Sequence, residues 1–322
     1  MKTIAIPDLY CPLPPSKANQ YLSIIEEHSI KWLQQLNLFK NETIHTNFSK
    51  SKFFLLASYV LPECELEELK ILNDWLSLMF TWDDQCDLLD LKTNPELLKF
   101  FQRRFIEILQ GQELTDQDHS LSLGLKELRQ RIYQRANNQS FHYFLQSFEG
   151  YLQGCFEEAM IRVQGIVPDI DTYMKSRNLS VGVRNCLALS EILNNCTLSD
   201  TLREQETVQQ INQMAVNIIA WSNDIFSVSR ELKSQDVHNL VIILHKRHKM
   251  PLEYAVQHVA EMHNLEVKKL LALQSSLPSF GENLDHELAK YISMVNSWIR
   301  GNLDWSSRSI RYQNMQALEI IN

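Results

Sequence analysis

Apolar residues return every three or four positions along most of the chain. Tyr21, Ile24, Ile25, His28, Trp32 and Leu36 keep that spacing, as do Leu69, Leu72, Trp75, Leu76, Met79 and Phe80. Both runs predict amphipathic helices. The same rhythm predicts further helices around 140–163, 207–232, 252–277 and 286–303, and no convincing apolar/polar alternation or Asn-Gly hairpin falls between them. Beyond an N-terminal cluster, the prolines stand at 62, 95, 168, 251 and 278, between the periodic stretches and not inside them. Residues 1–17, with four prolines by position 15, read as an extended segment. No repeat and no Gly/Ser-rich linker divides the rest, so the expected fold is all-α, a single helical bundle spanning 1–322, with its ligand site between facing helices.

Two places break the apolar stripe with oxygen. In Trp82-Asp83-Asp84-Gln85-Cys86-Asp87, Asp83 lies four after Met79 and seven after Leu76, and Asp87 lies seven after Phe80. These carboxylates continue the buried face of their helix. Carboxylates aimed into an apolar bundle repel one another and lose hydration unless cations join them, and hard divalent cations prefer oxygen ligands, magnesium being the natural candidate. A solvated acidic helix end is the competing reading of DDxxD alone. The second place is Asn223-Asp224-Ile225-Phe226-Ser227-Val228-Ser229-Arg230-Glu231. Stepping back by fours from Glu231 gives Ser227, Asn223, Ile219, Ala215 and Ile211, so an apolar ridge turns into a carboxylate, a hydroxyl and an amide. Three oxygen ligands at i, i+4 and i+8 suit one hard cation, with phosphate and water completing its octahedron.

Composition narrows the field. Eight glycines in 322 residues disfavour sheet-rich folds and glycine-rich phosphate loops. A net charge of -8 argues against nucleic acid as a partner. The longest apolar run, 53–62, is too short for the roughly 20 residues that span a bilayer, and the start lacks a secretion signal, so the expected location is cytoplasmic. Six scattered cysteines without CxxC spacing signal neither a zinc site nor a disulfide framework.

DDxxD followed 140 residues later by NDxxSxxxE resembles the bacterial class I terpene synthases. Asn73-Asp74-Trp75-Leu76 through Trp82, the stretch Asp236-Val237-His238-Asn239-Leu240-Val241, and Trp298-Ile299-Arg300-Gly301-Asn302-Leu303-Asp304-Trp305 with Arg311-Tyr312 look like further segments of that family, so the resemblance covers nearly the whole chain. It implies a class I terpenoid synthase bundle in which three Mg2+ ions grip a substrate diphosphate. Asp83 and Asp87 would hold two of them, and Asn223, Ser227 and Glu231 the third. Asp84 would hold an arginine instead of a metal. Arg177, 46 residues before Asn223, matches the family's diphosphate-sensing arginine. It opens Arg177-Asn178-Leu179-Ser180-Val181-Gly182-Val183, where the carbonyl of Val181 or Gly182 would face the cation. Arg230, Arg311 and Tyr312 would complete the diphosphate clamp, and Phe80 and Trp305 would line the pocket. Phe53, Phe54, Trp75 and Trp221 read as core. Some relatives carry Lys directly after the glutamate of the second motif; here Leu232 stands there, and Lys233 follows.

The implied substrate is farnesyl diphosphate, cyclised to a sesquiterpene, by an enzyme whose homologues are often dimers. A diterpene or monoterpene cyclase is one alternative, and a non-catalytic bundle that binds an isoprenoid is another. A chain-elongating prenyl diphosphate synthase would resemble two aspartate-rich motifs where this chain has one, and a protonation-initiated cyclase would resemble DxDD, which the chain lacks.

Overall fold

Helix forms wherever the three-and-four periodicity predicts it. The computed structural model describes residues 6–39, 42–88 and 90–313, without the side chains of Asp87, Leu88 and Gln313. In these residues the helices are α1 (Leu22–Gln35), α2 (Glu42–Ser51), α3 (Phe53–Val60), α4 (Leu66–Leu88), α5 (Pro95–Leu109), α6 (Ser120–Tyr133), α7 (Asn138–Val163), α8 (Ile170–Ser180), α9 (Val183–Leu193), α10 (Asp200–Arg203), α11 (Glu206–Lys233), α12 (Leu240–Lys246), α13 (Leu252–Ser275), α14 (Glu282–Ser306) and α15 (Ile310–Gln313), with a 3-10 turn at Leu91–Thr93 between α4 and α5. Among the described residues there is no strand, and no helix is long and apolar enough to cross a membrane.

Local chemistry sets the helix starts. Asn94 accepts from the Leu97 amide with Pro95 at the first position of α5. Asn137 and Ser140 form a reciprocal capping box at α7, and Asp169 accepts from the Thr172 amide at α8. The 53–62 run, apolar on every side, becomes α3, all of whose residues are buried. Residues 6–19 run without regular structure across the outside and are tied down by polar bonds. The Ser16 amide donates to Asp304 (2.9 Å), Arg300 donates to the Cys11 carbonyl (3.1 Å), and the Asn19 amide side chain donates to the carbonyls of Leu61 and Cys64 (2.9 Å each).

α11 passes through two hydrophobic clusters. Its first half belongs to the larger cluster, which also holds residues of α3, α4, α7, α9 and α14, and its second half contributes to the smaller one with α12, Tyr173 and the start of α13. The polar ladder lies on the second half, where the helix leaves the larger core.

His263 of α13 is 1% exposed, and burial holds its imidazole below the ordinary histidine value of 6.5. The unfolded chain takes up that proton near pH 6.5 while the folded chain resists, so the stability present above that pH is lost as the solution becomes more acid. The melting temperature is expected to fall between pH 7.5 and 5.5, with at most about 1.4 kcal/mol per pH unit from this group. His263→Leu should flatten that slope, and an unchanged slope would contradict the assignment.

Candidate active site

A cavity of about 260 Å3 opens between α4, α7, the α8–α9 junction, α11 and α14. Asp83, Asn223 and Glu231 stand on its walls together with Arg177, Arg230, Arg311 and Tyr312. The two oxygen-bearing helix faces therefore meet across one space.

On the α4 wall, Arg311 donates to Asp83 and to Asp84, both at 2.9 Å. The Lys92 ammonium stands 3.2 Å from the other oxygen of Asp83. Although burial works against it, Lys92, then Arg311 and Arg230, hold the Asp83 carboxyl well below its ordinary range. Asp84 reaches the arginine from a more exposed position. The backbone of Asp87 belongs to α4, and its side chain lies outside the described residues.

On the α11 wall, the Asn223 carbonyl oxygen accepts from Arg177 (2.8 Å), and its amide nitrogen donates to the Tyr312 hydroxyl (2.9 Å). Arg177 also binds the buried Asp224 at 2.8 Å. The Ser227 hydroxyl is fully buried and has no partner among the described residues. Glu231 accepts from Asn239 (2.8 Å). Burial, reinforced by Asp236 and Asp224, pushes its carboxyl above the ordinary glutamate value. Arg230 points a guanidinium nitrogen to within 3.7 Å of Glu231 from a half-exposed position.

No three His, Cys, Asp or Glu side chains gather around one point among the described residues. The ladder instead offers an amide, an unpaired hydroxyl and a carboxylate crowded by like charge, a set that fits a hard cation. The Arg177 Nε–H is likewise buried and unpartnered among the described residues. The unpaired donor lines the cavity, and the unpaired hydroxyl lies on α11 between the cavity-lining Asn223 and Glu231, a pairing suited to a cation bound together with an anion.

Helix α8 ends at Ser180, and Gly182 takes φ +74° before α9 begins. That left-handed turn is open to glycine at little cost. Its own carbonyl accepts from the Cys186 amide (3.1 Å), whereas Val181 is not drawn into α9 and lines the cavity. The turn rests on α7. A Cβ at Gly154 would fall 2.5 Å from the Ser180 nitrogen and 2.7 Å from the Leu179 Cβ. Gly154→Ala should therefore force α7 and α8 apart, lowering stability by about 1–3 kcal/mol and disturbing the turn. A urea midpoint unchanged from the wild type would count against that close approach.

The apolar wall carries Phe80, stacked on Phe53 (centroids 4.1 Å), and Trp305, 5.6 Å from Phe80, whose indole N–H donates to the Ser51 carbonyl at 2.9 Å. The Arg311 guanidinium lies 5.2 Å from the Phe80 centroid. Phe53, Phe54 and Trp221 sit in the hydrophobic clusters as expected. Trp75 is likewise fully buried in the core, and it also faces the cavity.

Sequence reasoning did not single out Lys92, Glu158 or Arg162 as site residues, yet all three line the cavity. Glu158 accepts from Ser180 beside the turn and from Arg162 (3.1 Å). Arg162 also grips Asp236 through two bonds of 3.0 Å. This network ties the α8–α9 turn to the segment after the ladder. The only signal for it was the i, i+4 pair Glu158/Arg162, common on any helix.

The chain matches the family model described as terpene synthase family 2, C-terminal metal binding, over residues 74–269. It is 50% identical over 320 residues to germacrene A synthase of Nostoc punctiforme, covering 99% of each chain. It is 29% identical over 292 residues to the (+)-T-muurolol synthase ((2E,6E)-farnesyl diphosphate cyclizing) of Roseiflexus castenholzii, covering 91% of this chain and 89% of that one. Hedycaryol synthase, solved in complex with HEPES, shares the fold with a TM-score of 0.81 at 23% identity, covering 94% of this chain and 99% of that one. An α-eudesmol synthase structure does so with a TM-score of 0.84 at 18% identity, covering 94% and 100%.

Proposed function

The chain belongs to terpene synthase family 2, and from that premise we propose that it ionises farnesyl diphosphate and cyclises the cation to a sesquiterpene, germacrene A being the expected product. It is an all-α terpene synthase with a metal-binding region that spans both oxygen-rich motifs. The observation that carries the reading is a single cavity lined by Asp83 on α4, by Asn223 and Glu231 on α11, and by Arg177 with its Nε–H unpaired among the described residues.

Magnesium is the cation we assign, as three ions. Asp83 with Asp87 would hold two, and Asn223, Ser227 and Glu231 the third. Ions bound there supply positive charge to the departing diphosphate. Arg177, Arg230 and Arg311 add guanidinium donors from three sides, and the Tyr312 hydroxyl adds a fourth contact. As the carbon–oxygen bond breaks, both electrons leave with the diphosphate, and the allylic cation stays in the apolar part of the cavity. The Val181 carbonyl then presents a fixed dipole to it, and the faces of Phe80 and Trp305 stabilise its charge while excluding water. Ring closure by a distal double bond and loss of one proton complete the hydrocarbon. We treat 1–322 as one synthase domain.

The test is incubation with geranyl, farnesyl or geranylgeranyl diphosphate and Mg2+, followed by mass spectrometry of the volatiles. Farnesyl diphosphate should give a C15 hydrocarbon only when the metal is present. Preference for a C10 or C20 substrate would overturn the substrate assignment, and metal-dependent binding without release of pyrophosphate would make the bundle a non-catalytic binder.

A further inference from the structure

The 3-10 turn after α4 places one cation where the aspartate wall meets the cavity mouth. Asp90 turns the chain at φ 52°, the amides of Thr93 and Asn94 bond back to the carbonyls of Asp90 and Leu91 (3.1 Å each), and the Leu91 side chain is fully buried. The backbone of Lys92 is thereby held in place, while its four-carbon stem, 23% exposed, lines the cavity. Its ammonium stands 3.2 Å from one oxygen of Asp83, and Arg311 holds the other at 2.9 Å. Asn223 shows the same arrangement on the opposite wall, its carbonyl oxygen held by Arg177 at 2.8 Å. Asp83 and the Asn223 carbonyl oxygen, both assigned above to metal ions, thus carry protein cations instead.

The geometry points to Lys92 as a further diphosphate-binding residue, a counter-ion that rests on Asp83 until metal arrives and then passes to the diphosphate. The inference rests on the metal and diphosphate assignment above. Divalent ions on Asp83 would repel a neighbouring ammonium, and a diphosphate bound to those ions would draw it. A lysine suits such a transfer, because its stem is flexible and its three donors need no fixed plane. Its field also reaches across the mouth. The Asp236 carboxyl, despite its burial, is held well below the ordinary range chiefly by Arg162 and also by Lys92.

The test is calorimetric titration of the folded protein with inorganic pyrophosphate in saturating Mg2+, and separately with Mg2+ alone. Lys92→Met should weaken pyrophosphate binding by about tenfold, the loss of one charged hydrogen bond, and should tighten the binding of Mg2+ alone, because Asp83 loses its resident cation. Lys92→Arg should restore pyrophosphate affinity to near the wild-type value. Lys92→Gln, which keeps a polar stem, serves as the second neutral variant and should behave like Lys92→Met. A general loss of packing would weaken both titrations together, so opposite shifts identify the counter-ion role. Pyrophosphate affinity within twofold of the wild type in either neutral variant, or weaker binding in both titrations, overturns the inference. A wild-type protein that binds no pyrophosphate with Mg2+, matching an Asp83→Ala control, refutes the underlying assignment instead.

Discussion

Asn223→Ala should lower kcat/KM by about 10^3-fold or more while leaving the helical circular dichroism and the melting temperature close to those of the wild type. The asymmetry follows from where the amide sits. Its oxygen and nitrogen bridge Arg177 and Tyr312 across the cavity wall, so alanine removes an assigned metal ligand together with the contact that joins two assigned diphosphate donors. The fold loses little. Asn223 is only partly buried, and Arg177 keeps its bond to Asp224. The neutral bond to Tyr312 contributes about 1 kcal/mol, and the loss of the charge-assisted bond to Arg177 is offset in part by the pair Arg177 keeps with Asp224. Asp83→Ala should behave alike on the opposite wall, where Arg311 retains Asp84. Steady-state product formation and thermal melts of the two variants decide the matter, and full turnover in either one would sink the metal assignment.

The parts of this site legible in the sequence are those whose signal is local. Met79, Phe80 and Asp83 share a helix face because 3.6 residues make a turn, and Asn223, Ser227 and Glu231 align for the same reason. Helices α7, α11, α13 and α14 begin and end within a few residues of their predicted limits. Helix α3 was not legible, because an unbroken apolar run carries no contrast from which to read a period. Glu158 lies 22 residues before Ser180, and Arg162 lies 74 before Asp236, so those contacts exist only once α7 has packed beside α8 and α11 has turned back. Lys92 reaches Asp83 only because the chain turns left-handed at Asp90. Trp75 shows a further limit: a side chain can be wholly buried and still form a cavity wall, and periodicity records only the burial.

Arg177→Met should cost about 3–5 kcal/mol of stability in addition to removing turnover, because it leaves a carboxylate buried and unpaired. Asp224 is 0% exposed. One of its oxygens receives Arg177 (2.8 Å), and the other receives the Tyr173 hydroxyl (2.5 Å) and the Leu240 amide (2.7 Å). Arg177 therefore joins two tasks that a second substitution can separate. In Arg177→Met with Asp224→Asn, the asparagine carbonyl can take the place of the oxygen that serves Tyr173 and Leu240, and no carboxylate remains at position 224 to be neutralised. Most of the lost stability should return, since replacing a buried ion pair as a whole is far less costly than breaking it. Turnover should not return, because no guanidinium then reaches the diphosphate from α8. Denaturant unfolding and product assays of the two single variants and the double variant form a thermodynamic cycle. A single Arg177→Met variant within about 1 kcal/mol of the wild type would contradict the buried pair, well below the 3–5 kcal/mol typical of breaking one. A double variant that regained activity would remove Arg177 from the chemistry.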